Sequence, residues 1–200
     1  MEYFKPKTRS YSVYLSLLAV LTALTTVATI IIAIPFPTST GYLNFGDVLV
    51  MLSGLLLGPI GGFLAGGIGS AMGDVALGYI HFAPITLVVK GCEGLIVGLL
   101  SIRVRTSKTL TLYDVAGLIL SSLIMLLGYF VAEVFLFGYA AALAELLTLN
   151  WIQVTVGSII TALIGPTTRG FLQQFLYTPE NEILEDGRSA EFDAVPEQTT

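Results

Sequence analysis

The chain has 200 residues, of which 54% are hydrophobic and only 12% are charged, and its mean hydropathy is +0.85. A soluble domain carries about a quarter of its residues as charged side chains, so this composition excludes a soluble globular domain. The net charge of −5 comes from the residues after Thr178, where seven acidic side chains outnumber Arg188. The rest of the chain has eight basic and seven acidic side chains and no basic patch that would suit a nucleic acid.

Six apolar segments predict an all-α polytopic membrane protein with six transmembrane helices. A span needs about 20 apolar residues, and Pro, Gly and charged residues mark the ends. The predicted spans are 11–34, 46–58, 60–79, 84–101, 113–136 and 149–175. The first is read as a retained span because no small-residue cleavage site closes it before Pro35. Residues 1–178 then form the transmembrane substrate-binding domain, and 179–200 are expected to be an acidic, disordered cytoplasmic tail.

The second and third predicted spans are separated only by Gly58-Pro59, which leaves room for a tight turn alone. Glycines recur at a spacing of four residues at Gly54, Gly58, Gly62 and Gly66, and again at Gly94 and Gly98. Small residues at this spacing let helix backbones approach closely in lipid. We therefore expect a close hairpin with internal helix packing along the glycines.

The Lys and Arg residues beside the spans predict the orientation, because cytoplasmic loops retain them. With six spans, all of these flanking residues fall on one side: Lys5, Lys7, Arg9, Arg103, Arg105, Lys108, Arg169 and Arg188. The opposite segments, around Thr38–Asn44, Ile80–Ala83 and Phe137–Thr148, contain no Lys or Arg and are read as outer loops. Both termini should therefore be cytoplasmic.

Charged and amide side chains inside the spans all fall in the outer halves, if depth is counted at about 1.5 Å per residue. They are Asp47, Asp74, Lys90, Glu93, Glu133, Asn150 and Gln153. Such residues are costly in a bilayer and mark functional sites or buried pairs. With apolar inner halves, this pattern indicates an outward pocket and not a continuous pore.

The pairing of these charges stays open at the sequence level. Lys90 shares a helix face with Glu93, but it could instead reach Asp74 on the neighbouring span. Acids outnumber the single Lys, so the surplus either stays protonated or meets a cationic, amine-bearing ligand. The lone Cys92 is read as a small buried hydrophobe, and no cofactor or metal site is expected.

Several short strings, in order and at the right spacing, carry a family resemblance across roughly residues 44 to 166. They are Phe45-Gly46-Asp47, residues 55–62 (LLLGPIGG), Gly73-Asp74, residues 90–98 (KGCEGLIVG) and residues 150–154 (NWIQV) followed by Gly157. Together they resemble the substrate-binding S components of energy-coupling-factor (ECF) vitamin transporters, and most of all the riboflavin and thiamine-precursor subgroup.

This resemblance implies a mechanism, a set of partners and a location in a prokaryotic plasma membrane. An S component binds a vitamin at its outer face, and a transmembrane T subunit with two ATPase subunits drives its release inside. The resemblance implies T-subunit contact through Ala19 and Ala23. Asp47 and Asp74 are expected, from their depth in the spans, to be structural or pocket charges. The substrate-binding residues it implies are Tyr42, Asn44, Lys90, Glu93, Glu133, Asn150 and Gln153.

Other classes of membrane protein remain as alternatives. A stand-alone small-molecule transporter or a structural membrane subunit would show the same composition. Two intramembrane Gly-Asp pairs, at Asp47 and Asp74, suggest an aspartyl protease, but Asn44 and Ala71 break the fuller Gly-x-Gly-Asp signature. The chain also has no Gly-x-x-x-x-Gly-Lys-Ser/Thr motif, so energy for transport must come from a partner or a gradient.

Overall fold

The computed structural model describes residues 11–35, 41–104 and 107–176. Its elements are α1 (Tyr11–Ile31), β1 (Ile34–Pro35), β2 (Tyr42–Leu43), α2 (Gly46–Leu77), α3 (Ala83–Ser101), a 3-10 turn (Ile102–Val104), α4 (Leu112–Phe137), α5 (Tyr139–Glu145), a π-helical turn (Leu146–Asn150) and α6 (Trp151–Leu176). Within these ranges, five helical stretches are long and apolar enough to cross a membrane. The predicted class, an all-α membrane protein, is confirmed. The number of six spans and the cytoplasmic position of both termini stay predictions. The predicted tail, and the basic residues before Tyr11, lie outside the described residues.

Helix α2 is broken at Gly58, which has φ of 80° and ψ of −170°. Glycine adopts this left-handed φ without steric cost, and Pro59 follows, which has no N–H to offer the preceding turn. A Cβ added to Gly62 would lie 2.6 Å from the Cα of Gly54, whereas residues eight apart in a continuous helix are separated by about 12 Å. The segments 46–57 and 59–77 therefore fold back on each other at the predicted Gly58-Pro59 turn.

The glycines let this folded α2 pack tightly against α3. A Cβ on Gly62 would approach the carbonyl carbon of Gly94 to 2.7 Å, and one on Gly98 would approach the Cα of Pro59 to 2.6 Å. No real Cβ tolerates such distances, so larger residues would push the backbones apart. The predicted internal packing along the glycines is confirmed.

An apolar core fills the middle of the bundle, and a buried ion pair lies beyond it. Fully buried Met51, Val97 and Met125 belong to the core. At the end of the bundle where α3 ends and α4 begins, Arg169 pairs with Asp114, and their side chains are 2% and 0% exposed. The expectation that the inner halves of the spans are apolar is therefore wrong. Arg169 and Asp114 are tolerated there because each neutralises the other, so neither needs contact with solvent or lipid.

The other end of the bundle differs from its predicted form in two places. The first helix ends at Ile31, since Ile34 and Pro35 pair antiparallel with Leu43 and Tyr42. The segment 137–148, predicted as an outer loop, is largely helical: α5 and the π-helical turn occupy most of it. Its Ala-rich sequence explains the difference, because alanine has the highest intrinsic helix propensity.

Candidate functional site

A cavity opens at the end of the bundle where α3 and α6 begin. It lies where α2 both begins and ends, where α3 and α6 begin, and where α1 and α4 end. Its walls are polar as well as aromatic. The lining residues are Thr29, Gly41, Tyr42, Asn44, Ser70, Asp74, Phe82, Thr86, Lys90, Tyr129, Glu133, Glu145, Asn150 and Gln153.

Lys90 is the cation of this cavity, and two carboxylates already hold it. Its Nζ forms ion pairs with Asp47 and with Glu93 Oε2, the latter at 3.0 Å. The ammonium also lies 5.6 Å from the ring centroid of Tyr129, within cation–π range. Of the two pairings left open by the sequence, the one with Glu93 is present. Asp47 was not foreseen as a partner because it lies 43 residues away on another helix.

Gln153 and Asn44 attach the segment before α2 to α6. Gln153 Oε1 accepts the backbone N–H of Asn44 at 2.9 Å, and Gln153 Nε2 donates to Asp47 Oδ1 at 3.1 Å. Asn44 Oδ1 in turn accepts the N–H of Gly46, the first residue of α2, at 2.8 Å. The amide of Gln153 is therefore satisfied by protein groups and positions the cavity wall.

Tyr42 joins the strand β2 to the end of α2. Its hydroxyl donates to Asp74 Oδ1 at 2.5 Å, and its ring lies 4.7 Å from that of Tyr79. Burial, and next the charge of Asp74, raise the pKa of the Tyr42 hydroxyl far above its usual value. The hydroxyl therefore keeps its proton at physiological pH and remains a donor. Asp74 is thus a partner of Tyr42 and not of Lys90.

Several buried polar atoms on the cavity wall have no hydrogen-bond partner among the described residues. They are Ser70 Oγ, Asp74 Oδ2, Glu133 Oε2 and Glu145 Oε1. Folded proteins pair nearly all buried polar atoms, so a group of unpaired ones on one wall calls for an explanation. A polar ligand in the cavity would supply the missing partners.

The structure brings the predicted substrate-binding residues to one place. Six of them, Tyr42, Asn44, Lys90, Glu133, Asn150 and Gln153, line the cavity. Glu93 is fully buried beside Lys90 and is not part of the lining. Their role in ligand binding stays a prediction.

Other residues that line the cavity were not among the predicted ones. Tyr129 lies one helical turn before Glu133, and that spacing was an available signal. Glu145 is the only charged residue between Val134 and Leu149, which marks it as unusual even in a segment read as a loop. Thr29, Ser70 and Thr86 carry no charge that would have singled them out.

Ala19 and Ala23 lie away from the cavity, on the outward side of α1. Both are exposed, and they stand beside exposed Leu15, Val20 and Val27. This face of α1 packs against nothing else among the described parts of the chain. It is free for lipid or for another subunit.

Comparisons with known proteins identify relatives of this chain. The model of the family described as "ECF-type riboflavin transporter, S component" matches residues 12–169. An uncharacterized protein in the gap 3′ region of Pyrococcus woesei is 43% identical over 142 residues, which cover 70% of this chain and 90% of that protein. The thiamine precursor transporter HmpT of Lactococcus lactis subsp. cremoris (strain MG1363) is 30% identical over 153 residues, or 76% of this chain and 85% of the relative. The chain therefore belongs to the family of S components of ECF-type riboflavin transporters, and it is a membrane transport protein.

Proposed function

We propose that this chain binds a small vitamin or vitamin precursor in the described cavity and serves its uptake as the S component of an ECF transporter. Family membership supports the class of function, and the similarity to a thiamine precursor transporter supports the class of ligand. One observation carries the binding site. The cavity collects side chains from α1, α2, α3, α4 and α6 at one end of the bundle, and several of its buried polar atoms lack partners.

In this proposal the cavity faces the outside of a prokaryotic plasma membrane. The chain crosses that membrane six times, because the break at Gly58 divides α2 into two spans, and both termini are cytoplasmic. The positions of Arg103, Lys108 and Arg169 support this orientation, since they lie at the end of the bundle opposite to the cavity. Cytoplasmic ends of membrane proteins are enriched in Lys and Arg.

Energy for transport comes, in this proposal, from a T subunit and two ATPase subunits. The chain has no nucleotide-binding motif of its own. The exposed Ala19 and Ala23 on α1 support a contact with the T subunit, because small residues let two membrane helices approach closely. A stand-alone transporter would instead take up its ligand without these partners.

The aspartyl protease alternative gains no support from the two Gly-Asp pairs. A protease of this kind needs two Asp residues that share one proton. Here Asp47 is paired with Lys90 and Gln153, whereas Asp74 accepts a hydrogen bond from Tyr42. Each Asp therefore has its own partner. Family membership also favours binding and transport over catalysis.

Native mass spectrometry of the purified chain in nanodiscs tests the proposal. The chain is incubated with riboflavin, thiamine and the aminopyrimidine precursor of thiamine, each in a separate sample. We expect one ligand from this panel to bind each chain. At a ligand concentration near 100 times its Kd, that ligand should raise the free energy of unfolding by about 2.7 kcal/mol. If none of the three binds or stabilises the chain, the proposal is contradicted.

A further inference from the structure

Two carboxylates, Glu133 of α4 and Glu145 of α5, lie on the same wall of the cavity. Their residues are only 2% and 4% exposed. They are close enough to interact directly, and Glu145 also accepts the backbone N–H of Gly41. One oxygen of each, Glu133 Oε2 and Glu145 Oε1, is buried without a hydrogen-bond partner. The wall therefore presents acceptors whose bonds are not satisfied within the described protein.

The charges nearby leave this carboxylate pair without a cation. Lys90 is already bound to Asp47 and Glu93, and the Tyr42 hydroxyl donates to Asp74. Among the residues the structure describes, no Lys or Arg forms an ion pair with Glu133 or Glu145. Two adjacent buried carboxylates repel each other, and a proton or a cation between them relieves that repulsion.

The π-helical turn Leu146–Asn150 adds Asn150 to the same wall. In an α-helix, residues five apart point about 140° away from each other. A turn with i→i+5 hydrogen bonds brings such residues back to nearly the same side, and π-turns of this kind occur frequently at functional sites. Glu145 precedes this turn and Asn150 is its last residue, and both line the cavity. Asn150 is only 8% exposed, and its side chain interacts with Glu133.

We propose that Glu133 and Glu145 bind a cationic amino edge of the ligand, in which an exocyclic amino group stands beside a protonated ring nitrogen. Such an edge offers two parallel N–H donors and a positive charge, which suit the two unpaired oxygens, one on each carboxylate. The inference rests on the proposed function and narrows it. Among vitamin-like heterocycles, it selects an aminopyrimidine over a neutral flavin ring.

A matched pair of probes tests this subsite: the aminopyrimidine precursor of thiamine and its hydroxypyrimidine counterpart, which carries oxygen in place of the amino group. We expect the parent chain to prefer the amino probe by roughly a hundredfold in isothermal titration, because charged hydrogen bonds would otherwise be left unmade. Glu133→Gln and Glu145→Gln should each weaken the amino probe by at least about tenfold. They should also improve the relative binding of the hydroxypyrimidine, because the new amide N–H can donate to its oxygen.

The control variant is Asp114→Asn, which removes a buried charge at the opposite end of the bundle. Asp114→Asn should lower thermal stability and leave the preference for the amino probe unchanged. If Glu133 and Glu145 had only a structural role, Glu133→Gln and Glu145→Gln would give that same result. If a Gln variant does not fold, the preference of the parent decides: equal affinity for both probes overturns the inference. Tight riboflavin binding that Glu133→Gln and Glu145→Gln leave unchanged overturns it too, but keeps the proposed function. Failure of all probes, riboflavin included, contradicts both.

Discussion

Lys90 of α3 and Asp47 of α2 form an ion pair beside the cavity, with side chains that are 2% and 1% exposed. Burying two charges is expensive, and the pair is tolerated only when further hydrogen bonds satisfy the remaining atoms. Glu93 supplies a second partner for Lys90, and Gln153 donates to Asp47. This network therefore joins three helices, α2, α3 and α6, at the level where we propose the ligand to bind.

Removing Lys90 should destabilise the protein strongly, because Asp47 and Glu93 would be left buried without a cation. We expect Lys90→Met to lower the free energy of unfolding by about 3–5 kcal/mol. Adding Glu93→Gln to Lys90→Met should recover part of this loss, and adding Asp47→Asn should recover more. Thermal unfolding in detergent measures each step. A Lys90→Met protein as stable as the parent would show that these carboxylates do not depend on Lys90.

Arg169 and Asp114 should form a second strongly coupled pair. The guanidinium donates from Nη1 to Oδ1 at 2.8 Å and from Nη2 to Oδ2 at 3.1 Å, and its Nε donates to the carbonyl of Ser107 at 2.9 Å. Arg169→Met should therefore cost about 3–5 kcal/mol, and Arg169→Lys should not restore the planar two-pronged contact. Arg103→Met is the control, since Arg103 is exposed and should change stability by less than about 1 kcal/mol. Equal melting temperatures for the Arg169→Met and Arg103→Met proteins would be inconsistent with this pair.

The proposed orientation can be tested by cysteine labelling in a Cys92→Ser background. Ile80 is 66% exposed beside the cavity end, whereas Leu110 is 44% exposed at the opposite end. A membrane-impermeant maleimide added to intact cells should modify Ile80→Cys at once, and Leu110→Cys only after permeabilisation. The reverse pattern would place the cavity on the cytoplasmic side.

The bounds of α2, α3, α4 and α6 and the level of the polar cluster could be predicted from the sequence, because both depend on local patterns. Gly58-Pro59 marks a turn whatever surrounds it, and charges inside apolar spans are conspicuous. Partners could not be predicted in the same way. Arg169 and Asp114 are 55 residues apart, and only the packing of α4 against α6 brings them together.

Glu145 shows a different limit of sequence analysis. Its segment is too short to be a span by itself, and it was therefore predicted to be a loop. A π-helical turn depends on the register between α5 and α6, and no hydrophobic period signals it. The turn connects Glu145 of α5 to Asn150, and both residues line the cavity.

Contact with a T subunit should depend on the exposed small face of α1. Replacing Ala19 or Ala23 with Trp should abolish uptake and co-purification with the T subunit, because a bulky ring keeps two helices apart. Ligand binding to the isolated chain should stay intact, since neither residue lines the cavity. Leu163→Trp, at a position on α6 that is 74% exposed, serves as the control and should transport normally. Full transport by the Ala19→Trp and Ala23→Trp proteins would assign this face to lipid.

Isothermal titration of α6 variants with the vitamin that binds the parent chain tests most directly whether the cavity is the binding site. The variants are Asn150→Leu, Gln153→Leu and, as a control, Thr155→Val, because Thr155 is exposed on the same helix.

Leaving one buried ligand group unpaired costs about 1–3 kcal/mol, or roughly 5- to 150-fold in affinity. Asn150→Leu should weaken binding in that range, and it should lower stability by no more than the one contact with Glu133 that it removes. Gln153→Leu should weaken binding by at least about tenfold and also lower stability, because it removes the bonds to Asn44 and Asp47. Thr155→Val should behave as the parent. The same dissociation constant for Asn150→Leu, Gln153→Leu and the parent would show that the ligand binds elsewhere.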